Sequence, residues 1–497
     1  MLRFSLSRSR LFILFCLSTS LGGWATPTYA QSTGICPAQL GAAIERLTTA
    51  PDVNRADWGI LVQAQNSSAQ SNPQTLYAQN ADRYFVPASN TKLLTTAAVL
   101  QEFGANFRIR TSVYQLQSQP DQVVLQVVGR GDPSFSEQDL QQLVQQIRDR
   151  GITRINLLIG DDSYFQGDPV NPTWEWGDVQ AGYGALVNSL ILNENAIGFS
   201  LVPQTLGQPL QVRWDDPAQA DQWQVNNRSQ TVATNAPEFV TVGRDLTQPV
   251  LEVAGQLRVG SAAEPVSVSI PRPAQFFMQQ LLQRLAAANI QVDQSLITLT
   301  PLNEQGTEIA AIDSAPLSEL LVETNQQSNN LYAEALLRSL GVHQSPQAVS
   351  ALESGALESG IKAVEQNLTQ LGVDQTGYTL ADGSGLSRHN LVSPGAIVQT
   401  LQAMLNATNA LPYRNSLSVA GESGTLRNRF QGTEVAGRLQ GKTGSLSDTV
   451  ALSGYLEPPE YPPLVLSILV NQINPSSEQV QTTIDQIVEL LVKLQPC

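Results

Sequence analysis

The chain changes its hydrophobic period along its length, and this change limits the folds that it can adopt. Near both ends, helical patterns alternate with apolar strands, as where the helical pattern 38–48 precedes the strand 58–63. Between about 111 and 300 strands dominate, and residues 200–270 alternate in period two between Gly, Pro and Asn breaks. This order predicts a mixed α/β (α+β) domain, built from both ends of the chain and interrupted by a β-rich insertion.

Charge and composition exclude several classes of function. The 497 residues include 28 Lys and Arg against 43 Asp and Glu, for a net charge of −15. No basic patch of the kind that nucleic-acid binders carry is visible, so we expect no nucleic-acid partner. With only 2 His and 3 Cys, a zinc site built from Cys and His clusters is almost excluded. We therefore expect neither a metal nor a cofactor.

The first thirty residues are typical of an export signal. Three arginines precede an apolar run at 11–21, and the small residues of Thr28-Tyr-Ala30 mark a cleavage site before Gln31. We therefore expect 1–30 to be a signal peptide and the mature protein to be exported to the periplasm or cell envelope. Because no second apolar run of about twenty residues follows, we expect no transmembrane anchor after cleavage. An uncleaved N-terminal anchor is the alternative.

Two cysteines, Cys36 and Cys497, remain after this cleavage and stand at opposite ends of the mature chain. Each lies beside an amphipathic helical pattern, 38–48 and 478–494 respectively. If these helices pack antiparallel, the two cysteines meet at one end, and export permits a disulfide. A Cys36–Cys497 bond is therefore a candidate, and two separate thiols are the alternative.

The first chemical motif is Ser89-Asn-Thr-Lys92, which opens a helical run after Pro87. Residues at i and i+3 of a helix share one face, so the hydroxyl of Ser89 lies beside the amine of Lys92. Serine is a poor nucleophile without a proton acceptor, and lysine accepts a proton only when its pKa falls. The pair predicts a nucleophile with its base, although the motif alone also suits an ordinary turn.

Two further motifs follow in order along the chain. Ser328-Asn-Asn330 precedes a helical run, where an N-cap is the simpler interpretation. Lys442-Thr-Gly-Ser445 precedes the predicted strand 449–456, as a loop whose glycine lets a ligand approach closely. Each motif is weak alone. Together they form the series SxxK, SxN and KTG, which contains two of the only four lysines of the chain.

This series resembles that of the penicillin-recognising serine DD-peptidases, a group that includes the class A β-lactamases. Other stretches are similar to the low-molecular-mass D-alanyl-D-alanine carboxypeptidases of the penicillin-binding protein 4 type, and the likeness spans essentially the whole mature chain. These stretches are Gly129-Arg-Gly-Asp-Pro-Ser134, Asp382-Gly-Ser-Gly-Leu-Ser-Arg388 and Ser423-Gly-Thr-Leu-Arg427.

The resemblance implies a β-lactamase-like or transpeptidase-like domain of antiparallel sheet plus helices, with two β-rich domains inserted between SxxK and SxN. Ser89 and Ser328 are 239 residues apart, which leaves room for such insertions. The expected division is 31–110 with 301–497 for the peptidase domain, 111–199 with 266–300 for inserted domain II, and 200–265 for a nested domain III.

The resemblance also implies catalytic roles. Ser89 attacks the carbonyl of a D-Ala-D-Ala bond on a peptidoglycan stem peptide, and Lys92 is its base. Lys442 lowers the pKa of Lys92 as a like charge and attracts the terminal carboxylate of the substrate. Ser328 relays a proton to the leaving amine, and Asn330 holds Lys92 and the substrate amide.

For substrate binding, the resemblance implies that Thr443, Gly444 and Ser445 line the carboxylate end of the site. The backbone N–H groups of Ser89 and Ser445 form the oxyanion hole. An acid of the insertion near the cleft pairs with the free amine of the stem peptide, and we favour Asp161 over Asp162; a strand-end turn is the alternative. The glycine-rich segment 382–388 is predicted as an active-site rim loop or a plain surface turn.

The sequence leaves the exact activity open. We expect a serine-type D-Ala-D-Ala carboxypeptidase that β-lactams inhibit covalently, with DD-endopeptidase action on cross-links as a further activity. The alternatives are a β-lactamase, which the absence of a recognisable deacylating Glu motif opposes, and a non-catalytic peptidoglycan-binding envelope protein. A Ser-His-Asp hydrolase would need His343 or His389, and the segment around Ser423 lacks the final glycine of a GxSxG elbow.

Overall fold

The structure is a computed structural model that describes residues 34–65, 73–117, 122–302, 306–344, 355–473 and 476–497. The predicted signal peptide, 1–30, lies outside the described residues. Within the described ranges, no helix combines the length and the apolar character that crossing a membrane requires.

The elements of the N-terminal segment are Pro37–Thr48 (α1), Asp57–Ala64 (β1), Thr75–Gln79 (β2) and Thr91–Phe103 (α2). Those of the middle segment are Arg110–Leu116 (β3), Val124–Val128 (β4), Glu137–Asp149 (α3), Arg154–Asp161 (β5), Ala196–Val202 (β6), Gln211–Trp214 (β7), Gln224–Val232 (β8), Phe239–Arg244 (β9), Val250–Arg258 (β10), Glu264–Ser269 (β11), Pro273–Ala287 (α4), Gln291–Thr298 (β12) and Gly306–Asp313 (β13).

The elements of the C-terminal segment are Leu317–Gln326 (α5), Asn330–Gln344 (α6), Ala356–Gln370 (α7), Tyr378–Thr379 (β14), Leu391–Val392 (β15), Pro394–Leu405 (α8), Ala410–Asn415 (α9), Ser418–Val419 (β16), Leu439–Leu446 (β17), Thr449–Leu456 (β18), Leu464–Asn471 (β19) and Ser477–Val492 (α10). The mixed α+β character predicted from the sequence is confirmed.

Both ends of the chain build one antiparallel sheet, in the order β16-β17-β18-β19-β1-β2. Because side chains alternate across a strand, β18 and β19 supply two cores at once. Ala451, Tyr455 and Leu469 face one core together with α2, α5, α6, α7 and α8. Leu452 and Leu466 face the other together with α1 and α10. The sheet is therefore covered by helices on both faces, and its central strands β18 and β19 are almost entirely buried.

The helices α1 and α10 bring the two ends of the described chain together. Cys36 and Cys497 form a disulfide whose Cα atoms are 5.7 Å apart. A β-bridge between Ile35 and Leu494 lies beside it, and this bridge is parallel. The disulfide and the bridge fix the outer helical layer at its ends.

The middle segment forms separate sheets. A five-stranded sheet has the order β12-β5-β4-β3-β13, and α3 and α4 contribute to its core. The last strand of this sheet, β13, pairs with β3 from Arg110 to Leu116. The boundary predicted at residues 300 and 301 therefore falls between two strands of one sheet, because β13 returns to this sheet after a short connection.

Two three-stranded sheets, β8-β10-β9 and β11-β6-β7, make up the rest of the insertion. The strands β6 and β11 pair with each other over their whole length, from Ala196 with Ser269 to Leu201 with Glu264. The boundaries predicted at 199/200 and 265/266 lie inside these strands, so the paired strands lead into and out of the nested segment.

Candidate active site

The turn that carries Ser89 is held against the central sheet. Ser89 lies in a 3₁₀ turn, Ala88–Asn90, directly before α2. The Asn90 side chain donates a hydrogen bond to the hydroxyl of Ser453 on β18, at 2.8 Å. Ala88 has a φ of +48°, a left-handed conformation that costs about 1–2 kcal/mol in a residue with a Cβ. The sheet and the neighbouring loops therefore stabilise a strained turn at the nucleophile.

Two glycines from different motifs flank this turn. A Cβ on Gly385, whose φ is +83°, would lie 1.9 Å from the carbonyl oxygen of Ala88. A Cβ on Gly444 would lie 2.8 Å from the carbonyl oxygen of Pro87. From the sequence, Gly444 was expected to admit a ligand. In the structure Gly444 is buried and instead admits the backbone of the nucleophile turn.

Lys92 stands one helical turn after Ser89 and is fully buried. Its Nζ donates hydrogen bonds to Ser89 Oγ at 3.1 Å, to Asn330 Oδ1 at 2.6 Å and to the carbonyl of Ser384 at 2.6 Å. Burial lowers the pKa of Lys92 to about 7, although the carboxylates of Asp382 and Glu334 act in the opposite direction. This places the amine near the point where it can accept a proton from Ser89.

Lys442 is also fully buried, but its neighbours differ. We call the region of Ser89, Lys92, Ser328 and Lys442 the lysine cleft. It sits on β17 rather than in a loop before a strand, as β17 extends from Leu439 to Leu446. Its Nζ donates to Ser328 Oγ and to the carbonyl of Thr443, each at 2.9 Å. Burial, and then the like charge of Lys92, lowers the pKa of Lys442 well below its usual value. Burial, and not Lys442, is therefore the main cause of the lowered pKa of Lys92.

The hydroxyl of Thr443 faces a second threonine from the segment 423–427. Thr443 Oγ1 donates to Thr425 Oγ1 at 2.7 Å. The backbone N–H of Thr425 donates to Ser418 Oγ, and Ser418 pairs with Gly441 next to Lys442. Thr425 therefore stands at the end of the cleft where Lys442 and Thr443 lie, a position that its motif did not reveal.

The SxN motif connects the cleft to the insertion. Ser328 has a φ of +61° and directs its hydroxyl to Lys442. Asn330 begins α6 and donates through Nδ2 to the carbonyl of Tyr183 at 2.9 Å. Asn329 donates to Glu194 at 2.8 Å. The amide donor of Asn330, which the sequence argument gave to substrate, is thus taken up by the insertion in this structure.

The segment 174–185 of the insertion supplies exposed aromatic rings and acids beside these contacts. Trp176 is 72% exposed and Tyr183 is 57% exposed. The hydroxyl of Tyr183 donates to Asp178 at 3.1 Å. Arg388 forms an ion pair with Glu175 at 2.5 Å and donates to the carbonyl of Ser447 in the β17–β18 turn. Two exposed aromatic rings therefore lie in the segment whose Tyr183 carbonyl accepts from Asn330.

Asp161, the predicted partner of the substrate amine, lies elsewhere. It is buried at the end of β5, where its carboxylate accepts from Gln126 Nε2 at 2.7 Å and from the N–H of Ser163 at 2.9 Å. Asp162 accepts from the N–H groups of Ser189 and Leu190. All of these partners belong to the insertion. The hydrogen bonds of the two acids therefore do not connect them to the lysine cleft.

Two buried carboxylates near Lys92 were not found by the sequence argument. Glu334 on α6 pairs with Arg338 at 2.9 Å, and both side chains are buried. Asp382 begins the segment 382–388, of which residues 382–387 are buried. This segment is therefore packed under Ser89 rather than forming an exposed rim; only Arg388 reaches the rim.

The two histidines do not form a triad with Ser89. His343 packs against the ring of Phe103 and lies 3.6 Å from Glu102. The backbone N–H of His389 donates to Ser387 Oγ, and its side chain is exposed. The base within reach of the serine is Lys92, which opposes a Ser-His-Asp hydrolase.

Comparisons with known proteins agree with this arrangement. The model of the D-Ala-D-Ala carboxypeptidase 3 (S13) family matches residues 40–494. A D-alanyl-D-alanine carboxypeptidase of Actinomadura sp. (strain R39) is 30% identical over 454 residues, which cover 88% of this chain and 82% of the relative. The penicillin-sensitive carboxypeptidase A of Dictyostelium discoideum is 26% identical over 467 residues, covering 88% of this chain and 87% of the relative.

Among solved structures, penicillin-binding protein 4 of Haemophilus influenzae has the same fold, with a TM-score of 0.78. It is 22% identical, and the match covers 90% of this chain and 98% of that one. The resemblance inferred from the motifs is thereby confirmed, because sequence and fold agree over nearly the whole described chain. The chain belongs to the D-Ala-D-Ala carboxypeptidase 3 (S13) family.

Proposed function

We propose that this chain is a serine-type D-alanyl-D-alanine carboxypeptidase that acts on peptidoglycan stem peptides through an acyl-enzyme on Ser89. The observation that carries the proposal is the contact between Ser89 Oγ and the buried Nζ of Lys92, at 3.1 Å. A pKa near 7 for Lys92 gives the serine a base at neutral pH. Family membership supports the same activity.

Acylation begins when Ser89 Oγ attacks the carbonyl carbon of the D-Ala-D-Ala bond. The hydroxyl proton passes to Lys92, whose other hydrogen bonds to Asn330 and Ser384 keep the amine aimed at the serine. The oxyanion is assigned to the backbone N–H groups of Ser89 and Ser445, where one donor typically contributes about 2.7–4 kcal/mol.

The leaving amine receives its proton at the other side of the cleft. Ser328, which lies 2.9 Å from Lys442 Nζ, donates its hydroxyl proton to the departing D-alanine and takes up the proton that Lys92 received from Ser89. The carboxylate of this D-alanine is bound by Lys442 and by the hydroxyl of Thr443. Because the pKa of Lys442 is low in the empty cleft, an incoming carboxylate favours its charged form. Water then hydrolyses the acyl-enzyme.

The free amine of the stem peptide needs an acid that reaches the cleft. Asp161 does not, since its carboxylate is buried among its own turn partners. Asp178 is the better candidate because it contacts Tyr183, whose carbonyl accepts from Asn330. We assign to Asp178, between Trp176 and Tyr183, the role that the sequence argument gave to Asp161.

Penicillins resemble the substrate in presenting an acyl carbonyl and a carboxylate, so they acylate the same serine and act as covalent inhibitors. Peptidoglycan lies outside the plasma membrane, which agrees with the signal peptide proposed for 1–30 and with a periplasmic or envelope location. The disulfide between Cys36 and Cys497 also agrees with an oxidising compartment.

The first experiment is labelling of the mature protein with a fluorescent penicillin. We expect a stable covalent band for the wild type and none for Ser89→Ala, with the adduct located on Ser89 by mass spectrometry. Ser423→Ala is the matched control, because Ser423 belongs to the nearest approach to a hydrolase elbow; it should keep the band.

Other outcomes separate the alternatives. Rapid loss of the intact penicillin without a band identifies a β-lactamase, whereas intact penicillin without a band indicates a non-catalytic wall-binding protein. Release of free D-alanine from a D-Ala-D-Ala stem peptide, compared with cleavage of a cross-linked stem-peptide dimer, then divides carboxypeptidase from endopeptidase action.

A further inference from the structure

Asp382 is a fully buried carboxylate between the pocket of Lys92 and the insertion. Its two oxygens are saturated by donors from both sides. Oδ1 accepts from the N–H of Gly385 at 2.7 Å and from Asn390 Nδ2 at 2.6 Å; Oδ2 accepts from the N–H of Ser387 at 2.6 Å, from Ser384 Oγ at 3.2 Å and from Trp174 Nε1 at 2.9 Å. These five donors hold the carboxylate of Asp382 in one orientation.

One peptide group joins this carboxylate to the base. The carbonyl of Ser384 accepts from Lys92 Nζ at 2.6 Å, and the N–H of Gly385, on the other side of the same peptide bond, donates to Asp382 at 2.7 Å. Hydrogen bonds in such a chain polarise one another. The negative charge of Asp382 therefore acts on Lys92 although the two side chains do not touch.

The connecting peptide is held in place from two other directions. Glu334 Oε1 accepts from the N–H groups of Gly383 and Ser384, at 2.8 and 2.9 Å. Gly385 packs so closely on the carbonyl of Ala88 that a Cβ would lie 1.9 Å away. The Ser384 carbonyl consequently cannot swing away from Lys92 without moving the nucleophile turn.

We propose that Asp382 is a positioning residue that holds Lys92 through the Ser384–Gly385 peptide and connects this base to the insertion at Trp174. The inference rests on the proposed role of Lys92 as base for Ser89. The segment 382–388 thereby gains a function that its motif alone did not reveal. Through Trp174, the insertion also helps to hold Lys92 in position.

The charged groups around Lys92 differ in whether they are neutralised by an ion pair. From α6 comes Glu334, which is paired with Arg338 at 2.9 Å. From β17 comes Lys442, a like charge. Among the described residues, no Lys, Arg or His nitrogen lies within 4.0 Å of Asp382, so no ion pair neutralises its charge. Glu334, in contrast, is paired with Arg338. Of the two carboxylates, Asp382 raises the pKa of Lys92 more.

The test is the pH dependence of acylation in Asp382→Asn, measured as the rate constant of fluorescent-penicillin labelling. Removal of a negative charge that favours protonated Lys92 should move the midpoint of the rate profile down by about one pH unit. A merely structural role lowers the rate equally at every pH and leaves the midpoint unchanged, which would overturn the inference.

Asp162→Asn is the control because Asp162 is a half-buried carboxylate that also closes a turn by accepting backbone N–H groups. It should lose stability without a shift of the midpoint. If Asp162→Asn moves the midpoint as far as Asp382→Asn does, the shift reflects a general loss of stability of the fold, and the inference fails.

A second variant decides the matter if Asp382→Asn does not fold. Trp174→Phe removes the Nε1 donor and keeps an aromatic ring, so less of the carboxylate charge is compensated and the midpoint should rise by a few tenths of a pH unit. An unmoved midpoint contradicts the inference. Wild-type protein that fails to label at Ser89 would instead contradict the proposed function itself, so the two failures are distinct.

Discussion

The two buried lysines of the cleft occupy pockets of different composition. Lys92 is surrounded by the amide of Asn330 and a loop carbonyl, with the carboxylates of Asp382 and Glu334 behind them. Lys442 has a hydroxyl and a strand carbonyl as hydrogen-bond partners, and no carboxylate of the described residues lies within 4.0 Å of either lysine.

This difference separates two tasks that the same side chain performs. Burial lowers the pKa of both lysines, but only Lys92 has carboxylates close enough to hold its pKa near 7. A lysine with internal counter-charge is ready to exchange a proton at neutral pH. A lysine without nearby carboxylates, as Lys442 is, can instead bind the negatively charged carboxylate of the substrate. In the proposed mechanism, the acids around each lysine, rather than its burial, therefore distinguish the base from the carboxylate receptor.

The strongest challenge to this comparison is Lys92→Ala. We expect the limiting rate constant of penicillin acylation to fall about 10²–10⁴-fold, because positioned proton transfer contributes that much. Stopped-flow labelling over a range of penicillin concentrations gives this constant separately from the half-saturating concentration. An unchanged limiting rate constant would show that another group takes the proton of Ser89.

Lys442→Ala should have a smaller effect that depends on the ligand. Loss of a charged donor to a carboxylate costs about 1.5–3 kcal/mol, so the half-saturating concentration should rise about 10–100-fold for a peptide with a free C-terminus. The same peptide with a C-terminal amide is the control and should change little. Equal losses for the two peptides would refute a carboxylate receptor.

The pH profile sharpens the comparison further. Protonated Lys92 cannot accept a proton, and its pKa is about 7. Acylation of the wild type should therefore rise with pH through about 7 and fall about tenfold per unit below it. A profile that is flat between pH 5 and pH 8 would contradict the assignment.

The smallest effect on acylation is expected from the double variant Cys36→Ala/Cys497→Ala. The disulfide lies at the outer ends of α1 and α10, away from both lysines, and it closes a loop of 461 residues. Its loss should lower the free energy of unfolding by about 2–5 kcal/mol in urea denaturation. The folded variant should label at the wild-type rate; slower labelling would tie the cleft to the bridge.

Local pattern was enough to predict much of this fold. The helix after Pro87 and the strand β18, which was predicted at 449–456, follow from short-range periodicity. The SxxK pair could be placed because i and i+3 share a helix face. These features depend on interactions between residues that are close in sequence, and such interactions can be derived from spacing alone.

What the sequence argument missed depends on long-range packing. Glu334 and Arg338 have the spacing of an ordinary surface ion pair, yet α6 is buried and the pair lies in the core. Lys442 looked like a loop residue because β17 contains two glycines, and these glycines are needed where the strand meets its neighbours. Asp161 was chosen for its position at a strand end, which carries no information about which cleft that end faces.

The central sheet also determines when the enzyme becomes active. β1 lies between β2 and β19, with Asp57 paired to Asn471, and α2 packs on the face made by β18 and β19. A chain that is still being synthesised carries Ser89 and Lys92 early but lacks the strands that hold them. The nucleophile turn therefore cannot be fixed in place before the C-terminal strands have joined the sheet.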